Sequence, residues 1–189
     1  MRCLPILCAL AVLAACQKPA EPAANEAAAA AAASAVKGVH RERHGKPVPD
    51  VAFNNPDGGD ISLADFRGVP VLINLWASWC APCVKELPTL DALSRAHDTD
   101  GALGVIAVSQ DTGPRASVAA FLKSHHIRSL AAYHDPDMNL SAELGADVLP
   151  TSILIDAEGR EVWRYVGDLD WTGAEAARLL SEAGAPKSR

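Results

Sequence analysis

VLINLWASWCAPC, Val71 to Cys83, decides how this chain is read. It joins an apolar run, Val69 to Trp76 broken only by Asn74, to a Cys-x-x-Cys pair, Cys80 and Cys83. A continuous apolar run of this kind is expected of a strand buried on both faces. After the pair, Cys83 to His97 carries helical spacing through Val84, Leu87, Leu90, Leu93 and Ala96, with Pro88 expected to kink the helix. The pair therefore stands at a helix start. There a thiol pKa falls from about 8.5 towards roughly 3.5–7.5. Only a thiolate attacks a disulfide, and two intervening residues let the second cysteine reach back and close the ring. This spacing predicts dithiol–disulfide exchange. A structural zinc site is the bland alternative, but it needs four ligands. The remaining cysteines, Cys3, Cys8 and Cys16, lie far upstream.

Outward from that stretch, the N-terminus reads as an export signal. Met1-Arg2 supply a positive charge, and Leu4 to Ala15 is an apolar run too short to span a bilayer as a mature helix. The run ends Leu13-Ala14-Ala15-Cys16, which resembles a bacterial lipobox. Residues 1–15 are then a lipoprotein signal peptide, and Cys16 carries the lipid; two or three acyl chains anchor stably where one does not. Cys3 and Cys8 leave with the signal, so Cys80 and Cys83 are the redox-capable thiols of the mature chain. Residues 16–46 read as a lipidated cysteine and a flexible tether rich in Ala, Pro and Glu, with too few large apolar residues for a core. His40 and His44, four residues apart within it, read as solvated linker histidines. Residues 47–187 are left as one domain, long enough for a real core. The chain carries a formal charge of −6, and losing Arg2 leaves −7, with no basic stripe. That balance argues against nucleic acid as a partner.

Within the domain the pattern alternates. Asn55-Pro56-Asp57-Gly58-Gly59 is a turn signal, and Ile61 to Gly68 completes a short hairpin and a further turn. Leu103 to Val108 reads as a buried strand, Gly113-Pro114 to Ser124 as a helix with Val118, Phe121 and Leu122 inward, and Leu130 to Tyr133 as a short strand. Asn139 to Leu144 is a short helix ended by Gly145. Thr151 to Ile155 and Glu161 to Val166 are strands joined by the turn Asp156 to Gly159. Ala174 to Ala183 is a last helix with Thr172 as its N-cap. Alternating strands and helices with a late hairpin give an α/β fold: a mixed central sheet, helices on both faces and an N-terminal hairpin extension.

These residues resemble the thioredoxin fold, and more closely the TlpA/ResA-like thiol–disulfide oxidoreductases of the bacterial envelope. The likeness covers about residues 47–184. It rests on VLINLWASWCAPC (71–83), on Pro88 five residues after the second cysteine, and on VIAVSQD (105–111). DVLPTSILID (147–156) and the closing GRE…YVGDLDW (159–171) complete it. The resemblance implies that Cys80 attacks a client disulfide and that Cys83 resolves the mixed disulfide. Trp79 would shield one side of the site and offer an apolar contact, and Pro82 would stiffen the loop. Pro150 would be cis, leaving the Leu149 backbone free to pair with an extended substrate. Cytosolic thioredoxins carry a buried aspartate where this chain has Asn74, which cannot act as a base. The envelope reductases often carry a glutamate three residues after the second cysteine, and Glu86 stands there. Three residues along a helix is the same face, so Glu86 can take the Cys83 proton; the bland reading is a solvated helix glutamate.

The expected function is a membrane-anchored, periplasm-facing protein-disulfide reductase. It acts as a monomer, without a metal or any cofactor beyond its own Cys80–Cys83 disulfide. Ala81-Pro82 supply no histidine to stabilise the thiolate of a strong oxidant, which favours reduction over disulfide formation. The resemblance implies disulfides of apocytochrome c or copper-site proteins as clients and a membrane electron donor of the DsbD/CcdA kind. Three rivals stand beside it. A disulfide-forming oxidant would use the same pair. A thiol peroxidase needs Thr or Ser where this chain has Ala77. A Cu(I) chaperone would draw on His125, His126 and His134, but usually spaces its cysteines by three residues.

Overall fold

The apolar run becomes a central strand. Val71–Trp76 (β4) is buried at all six positions. The computed structural model describes residues 37–98 and 101–184, so the expected signal peptide, Cys16 and the tether up to residue 36 lie outside the described residues. Besides β4, the strands are Gly38–His40 (β1), Phe53–Asn54 (β2), Asp60–Ile61 (β3), Gly104–Ser109 (β5), Tyr133–His134 (β6), Thr151–Ile155 (β7) and Glu161–Val166 (β8). The α-helices are Ala81–His97 (α1), Arg115–Ser124 (α2), Asn139–Leu144 (α3) and Ala174–Leu180 (α4). The strands form one sheet in the order β1-β8-β7-β4-β5-β6-β2-β3. β4, β5 and β6 are parallel, and the other pairings are antiparallel. This is the mixed, thioredoxin-like α/β sheet that the sequence predicts.

Strand alternation divides the core between the two faces. Leu72 and Trp76 of β4 pack with Leu87 and Leu90 of α1, Val118 and Leu122 of α2, and Leu179 of α4. Val71, Ile73 and Leu75 point the other way and pack with Leu140 and Leu144 of α3, Phe53 and Leu63. Asn74 shares the parity of Leu72 and Trp76, so it lies on the α1 face and is fully buried there. The one polar residue of the central strand is thus aimed at the helix that carries the cysteines.

Several boundaries differ from the sequence reading, each for a local reason. The fold begins before residue 47. β1 pairs with β8, Val39 opposite Tyr165, and the chain continues alongside through Gly45 N–H to Glu161 C=O at 2.8 Å and Val48 N–H to Gly159 C=O at 3.0 Å. His40 is therefore a strand residue. His44 lies in a turn and is exposed, but its Nδ1 is 2.8 Å from the Val162 carbonyl of β8, so it belongs to the fold and not to a free linker. The N-terminal hairpin is β2–β3, but its second arm stops at Ile61. Leu63–Phe66 is a 3-10 helix fixed by a capping box between Ser62 and Asp65. The short strand expected at Leu130 starts at Tyr133, because Asp91 Oδ1 accepts the N–H groups of Arg128, Ser129 and Leu130 and bends that segment. Gly173, not Thr172, is the N-cap of α4. The Thr172 hydroxyl donates instead to Asp170 Oδ1 at 2.6 Å. α4 ends at Leu180, and Ser181–Ala183 form a separate 3-10 turn. Among the described residues no helix is long and apolar enough to cross a membrane.

Candidate active site

β4 delivers the chain to the cysteines, and α1 begins on them. Cys80 is the N-cap of α1, and its Sγ accepts the Cys83 N–H at 3.3 Å. The cap and the sulfur expected to act as nucleophile are therefore one atom. The first-turn N–H groups and the positive end of the helix favour negative charge there. Pro82, in the first turn of α1, has no N–H to leave unpaired. Cys80 and Cys83 are joined by a disulfide, Cα atoms 5.3 Å apart. Cys80 retains 6% exposure and Cys83 none, so an incoming group meets Cys80 first. A second clamp holds the loop from the side. Ser78 donates its N–H and its hydroxyl to the Asp111 carboxylate at 2.8–3.2 Å, and Ser109 donates its hydroxyl at 2.7 Å.

Glu86 lies one turn along α1 from Cys83, on the same face, and is 2% exposed. It is not the solvated helix glutamate of the bland reading. Its Oε1 accepts from Asn74 Nδ2 at 2.7 Å; its Oε2 accepts from the Leu169 N–H at 3.1 Å and from Trp171 Nε1 at 3.3 Å. Burial pushes its pKa up from 4.5 to about 7, against the pull of those three donors. A carboxylate that titrates near neutrality, one helical turn from the buried Cys83, is equipped to accept and return a proton. Asp168 lies near and adds to the rise; its own pKa is lowered by Lys37 and Lys85, which bind it at 2.8 and 3.1 Å.

The remaining predicted residues fall around the cysteine loop. Trp79 is 70% exposed, so it offers apolar surface to solvent beside the cysteine loop. Ala81 and Pro82 are exposed with it. The Leu149–Pro150 peptide is cis. It leads into β7, whose Thr151 faces Leu75 at the end of β4 from which the cysteine loop departs. Val148, just before it, is exposed, and Leu149 is half-buried. Two of the three histidines weighed for copper have other partners. His125 stacks on Phe121 with centroids 4.0 Å apart, and His134 is buried with Nε2 2.6 Å from the Asp111 carbonyl. Among the described residues no three His, Cys, Asp or Glu side chains gather as a metal site. Ala77, where a peroxidase needs a hydroxyl, is fully buried, and the hydroxyl of neighbouring Ser78 is committed to Asp111.

Sequence reasoning missed the cradle of Glu86. Asn74 was legible only as a residue unable to act as a base, and Ser152, which accepts from Asn74 Nδ2 at 2.9 Å, gave no signal. A polar residue interrupting an otherwise apolar, doubly buried strand was the available clue. The Ser78–Asp111 clamp was likewise unread, because its members are 33 residues apart.

Comparison with known proteins agrees with this geometry. The Redoxin family matches residues 43–180. The thiol-disulfide oxidoreductase ResA of Bacillus cereus is 31% identical over 124 residues, 66% of this chain and 70% of that one. The thiol:disulfide interchange protein DsbE of Pseudomonas fluorescens is 36% identical over 149 residues, 74% and 79% of the two chains. Among solved structures, the exposed lipoprotein thioredoxin Etrx1 of Streptococcus pneumoniae superposes with a TM-score of 0.59 at 25% identity, covering 71% of this chain and 98% of that one.

Proposed function

Because the chain belongs to the redoxin family of thiol–disulfide oxidoreductases, we propose that it works as a lipid-anchored reductase of client disulfides in the bacterial envelope. Cys80, as thiolate, attacks one sulfur of a client disulfide. The client S–S bond breaks, one client sulfur departs as thiolate, and a Cys80–client mixed disulfide forms. Cys83 then gives its proton to Glu86 and attacks the Cys80 sulfur. The second client sulfur departs, and the Cys80–Cys83 disulfide closes. Two electrons have passed to the client. A membrane thiol carrier of the DsbD/CcdA kind would return them as a dithiol, with its own pair becoming the disulfide.

One observation carries this reading: the buried, hydrogen-bonded Glu86 carboxylate next along the helix face from Cys83, with its pKa raised to about 7. A base of that pKa lets the interior thiol ionise without admitting water. Trp79, Pro82, Leu149 and Pro150 form the client contact in this reading, and an extended client segment pairs with the Leu149 backbone. The leader at 1–15 and the lipidated Cys16 place the domain on the envelope face of a membrane. The lipoprotein character of the pneumococcal neighbour supports that placement. Apocytochromes c and copper-site proteins, whose cysteines must be reduced before they bind their cofactors, are the client classes.

Trapping tests the proposal. In a Cys83→Ala protein the mixed disulfide has no resolving thiol. Envelope proteins carrying cysteine pairs should accumulate covalently on Cys80 and release on reduction. If nothing is trapped on Cys80 while the same protein lacking Cys80 gives an identical pattern, the proposal fails.

A further inference from the structure

The two oxygens of the Glu86 carboxylate are not equivalent. Oε2 faces the Leu169 backbone N–H and the Trp171 indole N–H. Both groups only donate, so a proton on Oε2 would point at hydrogens that cannot turn away. Among the described residues Oε1 faces a single partner, Asn74 Nδ2 at 2.7 Å. That partner is a primary amide, whose other end is an acceptor. The other end is also unengaged: among the described residues Asn74 Oδ1 is buried without a hydrogen-bond partner. The second contact of Nδ2 is the Ser152 hydroxyl at 2.9 Å, which can donate as readily as accept.

Resting on the reading of Glu86 as the proton acceptor, we infer that Asn74 is its positioning residue: the proton enters on Oε1, and the Asn74 amide turns over to receive it. With Glu86 ionised, Nδ2 donates to Oε1 and to Ser152. With Glu86 protonated, a half-turn about the terminal torsion of Asn74 brings Oδ1 to that place, where it accepts from Glu86 O–H and from the Ser152 hydroxyl. Each state keeps two hydrogen bonds at Asn74, and no other bond has to break, because nothing holds Oδ1. The proton bond is Cys83 S–H before transfer and Glu86 Oε1–H after it. The groups that bear on this titration are Cys83 on α1 itself, Tyr165 on β8, and Asp168 beyond β8 with its bound Lys37 and Lys85. Asn74 on β4 and Ser152 on β7 close the remaining sides and carry no charge.

The test is a pH titration of the reduced full-length protein by NMR, following the Glu86 carboxyl carbon and the Asn74 side-chain amide together. The Asn74 amide resonances should move with the midpoint of Glu86. Replacing Asn74→Leu removes a donor from the anion, which raises the Glu86 midpoint, and an acceptor from the acid, which lowers it. A hydrogen bond to a charged group is worth about one to two pH units and one to a neutral group about half that, so the Glu86 midpoint, and with it the low-pH limb of client reduction, should rise by less than about one unit. Trp171→Phe should raise the midpoint too, by removing one of the two donors to Oε2, while leaving the Asn74 response in place. Asn74 resonances that stay fixed while Glu86 titrates overturn the inference, as does a rise of the full one to two units in Asn74→Leu, which would mean that Asn74 serves the anion alone. If that variant does not fold, the wild-type titration decides alone. An unchanged Cys83 titration in Glu86→Gln removes Glu86 as the base, a different failure, since Glu86 and Asn74 would still titrate together or not.

Discussion

Replacing Glu86→Gln should change how stability depends on pH. The magnitude follows from burial. In the unfolded chain this carboxyl titrates near 4.5; in the fold it titrates at about 7. Below about pH 4.5 both states hold the proton, and the contribution is fully present. Between there and about pH 7 the unfolded chain loses its proton while the folded one keeps it, so the fold loses stability as pH rises. Above about pH 7 both are ionised and the slope vanishes. A difference of about 2.5 pH units at 1.36 kcal/mol each is about 3 kcal/mol. The Glu86→Gln variant has no such step, and any constant offset it introduces drops out of the comparison. The assay is urea unfolding of the oxidised proteins across that range, which is two-state for a domain of this size with its disulfide intact. The gap between wild type and Glu86→Gln should shift by about 3 kcal/mol in favour of the variant as pH rises. A gap constant within about 1 kcal/mol would refute the claim that Glu86 is held protonated by burial.

Three further outcomes are expected. Trp79→Ala, at a site 70% exposed, should leave stability within about 0.5 kcal/mol of wild type yet slow reduction of a protein disulfide more than that of a small one. Asp111→Ala strands the Ser78 N–H in the loop before the cysteines; it should cost about 1–3 kcal/mol by urea denaturation and loosen the loop, read as faster amide exchange at Ser78 and Trp79. Leu87→Ala empties a fully buried position of α1 and should cost about 2–5 kcal/mol by the same measurement, with the Glu86 midpoint little changed.

What the sequence disclosed was what local pattern controls. The apolar run at β4, the turn between β7 and β8, the helical spacing of α1 and the Cys-x-x-Cys at its start follow from neighbours in the chain. Family likeness added the cis Leu149–Pro150 bond, which no local signal gives. The features that escaped depend on partners far away. Gly38–His40 looks like linker because Val39 is its one apolar side chain; it becomes a strand because Arg164 to Val166 offer an open edge. The start of β6 is set by Asp91 on α1. The Glu86 cradle draws on β4, the segment after β8 and α1 together, so no window of sequence contains it. Glu86 itself was legible by its spacing from Cys83, but its burial and raised pKa were not.

Function in this protein rests on the sulfur couple. Equilibrating the protein in graded ratios of reduced and oxidised dithiothreitol, and counting free thiols by alkylation, measures it directly. A single reversible two-electron transition confined to Cys80 and Cys83, with client-disulfide reduction lost in Cys80→Ser, is the predicted result. Absence of a reversible transition, or full turnover in a protein lacking both sulfurs, would contradict it.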